Sequence, residues 1–171
     1  MKSWIKSVGE EAGQIDVLIS NAGAMAQGND PKSWEQNFQL DVLGCVNAFE
    51  AAEQYLSKAA ATNGDAAAII IASVSGAVAD QASSYGPIKA ALIHMAKGLS
   101  RQYAKQGIRV NTVSPGMVYF EGGVWHMVEQ NMPEFYAKAL RRVPSGRCAT
   151  PEEIASATVF LASPLSSYTT E

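Results

Sequence analysis

The sequence predicts an α/β fold built on a parallel sheet, and three observations carry that prediction. Short apolar runs, "IDVLIS", "AAAIIIAS" and "IRVNTVS", alternate with stretches whose apolar residues recur at helical spacing. The runs are nearly continuous in apolar character, as parallel strands covered on both faces are. Each is closed by a turn-prone segment, "SNAG", "SVSG" or "SPGMV". Strand, helix, strand, helix, strand then requires crossover connections between parallel neighbours.

The first strand covers residues 15–20. A long helix follows from Asp30 to residue 62, with Pro31 in its first turn, where a missing N–H costs little. Phe38, Val42, Cys45 and Phe49 form its apolar stripe, and "NGD" stops it. The second strand is 66–73. A second long helix spans 84–106, with Ile88, Leu92, Met95, Leu99 and Tyr103 on one stripe, Pro87 in the first turn and Gly107 as the stop. The third strand, 108–114, ends at Pro115 and Gly116. Segment 117–148 is aromatic-rich and less regular. A final helix opens on Thr150 as N-cap, Pro151 at the first position and Glu153 closing a capping box. No repeat or low-complexity linker interrupts the chain, so residues 1–171 read as a single domain.

Charge excludes several functions. The net charge is −3 and the basic residues are scattered, "LRR" at 140–142 being the tightest group. Nucleic acid and anionic membrane are therefore not expected as partners, because binding them needs clustered Lys and Arg. No apolar run approaches the ~20 residues of a spanning helix. "MKSWIKSVGEEAG" has no apolar signal region. Cys45 and Cys148 stand far apart, with neither CxxC nor metal-ligand spacing, and read as inert thiols in a reduced, cytoplasmic setting.

Right-handed crossovers leave the C-terminal ends of parallel strands on one edge, where α/β sites form. That brings together Ser73, Tyr85 and Lys89. A phenol is a poor base at neutral pH, and lowering its pKa by about three units requires roughly 4 kcal/mol. A lysine ammonium ~4 Å away in an effective dielectric of ~20 supplies about that much. Lys89 lies four residues after Tyr85, on the same helical face. A serine hydroxyl, which both donates and accepts, would hold a substrate oxygen beside the phenol. The trio suits proton exchange with an alcohol or ketone. It suits acyl transfer badly, because the Gly-x-Ser-x-Gly elbow is absent and neither His94 nor His126 has an evident serine partner. Ser75 reads as a turn residue, and His94 as a packed or interface residue. His126 reads either as a substrate contact or as a lid residue near solvent. Exchange at a carbinol oxygen is half a reaction, and the hydride half calls for a nicotinamide cofactor.

"DVLISNAGA", "IIIASVSG", "YGPIK", "IRVNTVSPG" and "ATPEEIASATVFLAS", in this order and at these spacings, resemble the short-chain dehydrogenase/reductase family from about residue 8 to the end. The resemblance implies a Rossmann-like, doubly wound parallel sheet, NAD or NADP as cofactor, and interconversion of a small-molecule alcohol and ketone. It assigns Tyr85 as general acid/base, Lys89 as its pKa partner and nicotinamide-ribose ligand, and Ser73 to the substrate oxygen. It places Asn21, Ala22 and Gly23 beside the adenosine half of the cofactor, and Pro115, Gly116 and Val118 along the nicotinamide. Segment 117–148 becomes the substrate lid, with Trp125, His126, Phe135 and Tyr136 as possible contacts. Helices 30–62 and 84–106 become the interface of a homo-oligomer.

The sequence departs from the family pattern in four places. Asp41 replaces an asparagine of the proton relay, although a carboxylate can also hold water. Ser73 precedes Tyr85 by twelve residues, one fewer than usual, which implies a shortened loop. Phe120 stands where a threonine commonly reaches the cofactor. No Gly-rich turn precedes "DVLISNAG", and Met1 falls inside the helix before that strand. Of the family's strand order, 3-2-1-4-5-6-7, the chain keeps strands 4, 5 and 6. The expectation is thus a partial doubly wound sheet truncated at both ends, with two bare apolar edges. Two functions follow: an NAD(P)-dependent oxidoreductase, or a catalytically incompetent family member acting at most as an association module.

Overall fold

The computed structural model describes residues 1–79 and 81–171 and contains a three-stranded parallel sheet in the order β1-β2-β3. The strands are β1 (Val17–Ser20), β2 (Ala66–Ile71) and β3 (Ile108–Val113), each at a site predicted from an apolar run. Ile19 lies opposite Ile69, and Ile70 opposite Thr112, so all three C-terminal ends reach the same edge. The helices are α1 (Lys2–Ala12), α2 (Pro31–Asn37), α3 (Gly44–Asn63), α4 (Tyr85–Tyr103), α5 (Val124–Asn131), α6 (Pro133–Leu140) and α7 (Pro151–Ala162).

Local signals act where the residues predict them. Asp30 caps α2 by accepting from the backbone N–H groups of Lys32 and Ser33. Gly64 and Gly107 end α3 and the turn after α4 with φ of 79°, a left-handed conformation that glycine adopts without steric cost. At α7 both halves of the Thr150–Glu153 capping box form. The long helix of 30–62 is not continuous, however. A π turn at Phe38–Leu43 separates α2 from α3. Phe38, which opens that turn, is 44% exposed while Asp41 is buried, and Val42, Cys45 and Phe49 keep the rest of the stripe against the core. His94 lies exposed on α4 and is not packed within the chain.

The core forms where α3 and α4 lie on one face of the sheet. Ala48, Ala52, Leu56 and Ala59 of α3 join Ala66, Ala68 and Ile70 of β2, Ile108 and Val110 of β3, and Leu92 and Ala96 of α4. α1 closes over α3, where Gly9 lies so near the Tyr55 ring that a Cβ would stand 2.4 Å from it. The opposite face carries Arg109 and is covered by α7. Arg109 donates to the Leu161 carbonyl at 2.5 Å and the Ser163 carbonyl at 3.1 Å, and pairs with Asp65 at 2.7 Å. These contacts satisfy the last carbonyls of α7.

The two sheet edges differ. On β1, Val17 and Ile19 remain 39% and 47% exposed, since α7 packs over β2 and β3. The β3 edge is not bare as expected. The Glu171 N–H donates to the Val110 carbonyl at 3.1 Å, Thr170 Oγ1 accepts from the Val110 N–H at 3.0 Å, and Asn111 donates to the Thr169 carbonyl at 2.8 Å.

Candidate active site

The segment leaving β1 is held by side chains of the long helix. Asn21 and Ala22 are exposed and Gly23 is half-buried. Asp41 Oδ1 accepts from the Ala24 N–H at 2.8 Å. Asn37 accepts from the Ala26 N–H and donates to the Ala26 carbonyl and to Ser84 Oγ. Ser84 Oγ donates in turn to the Gly28 carbonyl at 2.8 Å. Asn37 and Ser84 are fully buried, and this network fastens the β1 loop to the start of α4. Sequence reasoning misses both residues. Their one signal is polarity: Asn37 lies one turn before Asp41 on the same helical face, and Ser84 directly precedes Tyr85.

At the end of β2, Ser73 is buried and its Oγ accepts from the Ser75 N–H at 3.2 Å, capping the short turn Val74–Gly76. Two glycines let that turn press against α4. A Cβ on Gly76 would stand 2.9 Å from the Ala90 nitrogen, and one on Gly86 would stand 2.7 Å from the Ser75 carbonyl oxygen. The Val74 N–H donates to the Pro115 carbonyl at 3.1 Å, which ties the end of β3 to the same turn. Gly116 faces open space, with no heavy atom within 4 Å of where a Cβ would stand.

Tyr85 opens α4 half-buried, and Lys89 follows one turn later, fully inside. Lys89 Nζ lies 5.5 Å from the centre of the Tyr85 ring and 3.4 Å from the Ile71 carbonyl oxygen. It also lies 3.0 Å from Asp41 Oδ2. Gly23 borders this ion pair, where a Cβ would come within 3.2 Å of the carboxylate and 3.4 Å of the ammonium. The fold thus gathers Asp41, Lys89, Tyr85 and Gly23, with the Ser73 turn and Pro115 alongside. The arrangement can hold a polar oxygen and exchange a proton with it beside a buried cation.

Val118 sits where 117–119 runs against Ala149: the Tyr119 N–H donates to the Ala149 carbonyl, and the Ala149 N–H to the Met117 carbonyl. The rest of 117–148 packs on itself. Trp125 stacks on Phe135 with rings 6.5 Å apart and 7° from parallel, and also leans on Tyr136. Tyr119 meets His126 and Tyr136 edge-on and donates to Glu129 at 2.5 Å. That bond to a carboxylate, followed by burial, raises the Tyr119 phenol above its usual range. Contact with Cys148 Sγ at 3.7 Å, then burial, pushes Tyr136 up to about 12. His126 Nδ1 accepts from the Gly122 N–H at 3.0 Å. The contacts described for Trp125 and His126 lie within this segment, and none joins them to Ser73 or Tyr85 among the described residues. Phe120 is exposed, its ring turned toward Gly123.

A family model described as enoyl-(acyl carrier protein) reductase matches residues 1–171. The chain belongs to the short-chain dehydrogenase/reductase family. It is 37% identical over 167 residues to isoepoxydon dehydrogenase of Penicillium expansum, covering 96% of this chain and 63% of that protein. It is 32% identical over 168 residues to galactitol 2-dehydrogenase (L-tagatose-forming) of Cereibacter sphaeroides, covering 94% of this chain and 63% of that one. The ligand-free aldohexose dehydrogenase of Thermoplasma acidophilum superposes with a TM-score of 0.85 at 28% identity, over 99% of this chain and 69% of that chain. The sheet is therefore a Rossmann-like parallel sheet, and the chain spans about 63% of the length of these two curated relatives. Among the described residues, no helix is long and apolar enough to cross a membrane.

Proposed function

We infer that this chain carries the acid–base half of an NAD(P)-dependent oxidoreductase that interconverts a small alcohol and a ketone. The observation that carries this reading is the meeting of Tyr85, Lys89 and the Ser73 turn at the C-terminal edge of a parallel sheet. Tyr85 exchanges a proton with the substrate oxygen, Ser73 holds that oxygen, Lys89 places positive charge beside the phenol, and Asp41 stands at the relay position next to Lys89. Family membership and relatives that are dehydrogenases of hydroxylated compounds support the same chemistry.

The residues fit the nicotinamide-ribose end of the cofactor. Lys89 offers a donor and Gly116 leaves room beside Pro115 and Val118, while Asn21, Ala22 and Gly23 border the adenosine half. NAD and NADP differ at the adenosine ribose 2′ position, which none of these residues is assigned to read, so the reading covers both. When bound, a nicotinamide supplies the hydride acceptor or donor that no side chain provides. Residues 1–171 act as one unit in which 117–148 serves as the substrate lid, and Trp125 and His126 reach substrate once that lid closes.

Titration with NADH and NADPH, followed by nicotinamide fluorescence, tests this reading. Saturation at or below the millimolar range is expected, whereas no saturation with either sinks it. Tyr85→Phe is expected to abolish turnover by at least about a hundredfold while leaving the unfolding midpoint in place. Turnover near the starting level would remove Tyr85 from its role.

A second reading, association without turnover, has its own observation. Val46 and Phe49 of α3 face Met95, Leu99 and Tyr103 of α4 across an apolar groove rimmed by Glu50 and Glu53. A homo-oligomer joined through these helices would cover it. Light scattering that gives a clean monomer at all concentrations counts against this reading.

A further inference from the structure

Ser84 stands at the N-cap of α4, yet its hydroxyl caps nothing in that helix. It accepts from Asn37 Nδ2 at 2.9 Å and donates to the Gly28 carbonyl at 2.8 Å, which also takes the Ser84 N–H at 3.0 Å. Asn37, the last residue of α2, uses the rest of its amide on one loop residue. Its Oδ1 accepts from the Ala26 N–H at 3.1 Å, and Nδ2 donates to the Ala26 carbonyl at 2.9 Å. Both residues are 0% exposed, and every polar side-chain atom they carry is bonded. Such a network is costly to open, because each freed group stays dry and unpaired.

The loop held in this way is strained. Met25 lies between Ala24, whose N–H donates to Asp41, and Ala26, and its φ of 58° places it in the left-handed region. A residue with a Cβ persists there only where its surroundings hold it. The same loop meets α4 at a second point, since a Cβ on Gly23 would stand 3.4 Å from Lys89 Nζ. It therefore touches α4 on both sides of Tyr85, at Ser84 before it and at Lys89 after it. Gly28 leaves no slack at the far end: a Cβ there would stand 2.4 Å from Ser33 Oγ and 2.5 Å from Asp30 Oδ2.

We propose that Asn37 and Ser84 are positioning residues, a latch that joins the strained β1 loop and the first turn of α4 into one piece. The latch fixes where Tyr85 stands relative to Gly23 and Lys89, and no proton passes through either residue. Opening it from either side lets Met25 relax and frees both segments together. This deepens the oxidoreductase reading and rests on it for the role of Tyr85, whereas the mechanical coupling stands apart from it.

The test is amide hydrogen exchange, followed by NMR on the full chain without cofactor. Ser84→Ala removes one oxygen and no cap of α4. Exchange at the Ala24 and Ala26 N–H groups is expected to quicken roughly tenfold, as for loss of a buried hydrogen bond. A role confined to α4 would quicken Ile88, whose N–H donates to the Ser84 carbonyl, and spare the loop. That outcome overturns the proposal, as does equal acceleration at the distant Ala66 N–H, which donates to the Gly107 carbonyl. One latch also requires that Asn37→Ala/Ser84→Ala quicken Ala24 no more than the faster single variant. Effects that multiply would mean two independent anchors and overturn it too. The position of Tyr85 is read by fluorine NMR of the chain labelled with 3-fluorotyrosine, its resonance assigned by loss in Tyr85→Phe. In Asn37→Ala that resonance is expected to shift or broaden while those of Tyr119 and Tyr136 hold, and coincidence with the parent overturns the proposal. Where Asn37→Ala fails to fold, the exchange pattern of Ser84→Ala decides alone. Failure to bind NADH or NADPH would remove the oxidoreductase reading and leave each of these results standing.

Discussion

Gly86 and Gly98 lie in the same helix, yet a methyl group added to each has opposite consequences. At Gly86 the new Cβ would stand 2.7 Å from the Ser75 carbonyl oxygen, a backbone atom that cannot turn aside. At Gly98 it would meet nothing within 4 Å. Gly86→Ala is expected to destabilise the chain by about 1–3 kcal/mol through overpacking. It would also push the Ser73 turn off α4. Gly98→Ala is expected to stabilise by roughly 1 kcal/mol, the helix propensity difference alone. Urea unfolding of the two variants checks the pair, and equal shifts would mean that the close approach at Gly86 does not constrain the site. The candidates among single residues are legible in the sequence: residue type and spacing single out Tyr85, Lys89 and Ser73. Their restraints are not. The close approaches at Gly76 and Gly86, and the buried bonds of Asn37 and Ser84, join segments far apart in the chain, and a linear pattern holds no record of such distances.

Among the elements, α7 shows local sequence acting with least help from tertiary packing. Glu153 accepts from the Thr150 N–H and also takes both Arg147 Nη groups, at 2.6 and 2.7 Å. The Arg147 bond and then the Thr150 bond lower its carboxyl from the ordinary 4.5 to about 2. A folded-state pKa below the unfolded one means stability that is present above about 4.5 and lost as pH falls toward about 2. The difference in Tm between the parent and Glu153→Gln should therefore be full at neutral pH and shrink through that window. A difference that stays constant down to the acid limit would show that Glu153 acts through shape and not charge. Capping is readable in sequence because all its partners lie within a few residues. The long helix of 30–62 is readable in extent and, from Val42 onward, in phase. Composition marks no π turn, so helical periodicity turns Phe38 inward where the fold exposes it. The same periodicity gives no sign that Asp41 meets Lys89, and a water-holding relay role is all that residue type suggests.

At the scale of the whole molecule, one buried arginine joins the sheet to the helix on its far face. Arg109 leaves β3, pairs with Asp65 at the entry to β2 and donates to the last carbonyls of α7. Asp65→Ala strips its counter-ion and is expected to cost about 3 kcal/mol, the lower end for a broken buried pair, because Asp65 is itself 22% exposed. The midpoint of denaturant unfolding reads this, and a loss below about 1 kcal/mol would mean that the α7 carbonyls alone hold the guanidinium.

The sequence by itself determined the strand–helix alternation, the parallel sheet, the three turns that share its edge, and the candidates for a proton-exchanging site. Periodicity and turn chemistry are local, and the alternation of short apolar runs with helices leaves few topologies to choose from. Only the tertiary structure decided which charges meet. The pairing of Asp41 with Lys89, the seating of the 169–171 tail along β3 and the packing of segment 117–148 on itself depend on distances across the fold. Electrostatic effects follow separation and burial, and neither is set until the chain has closed on itself.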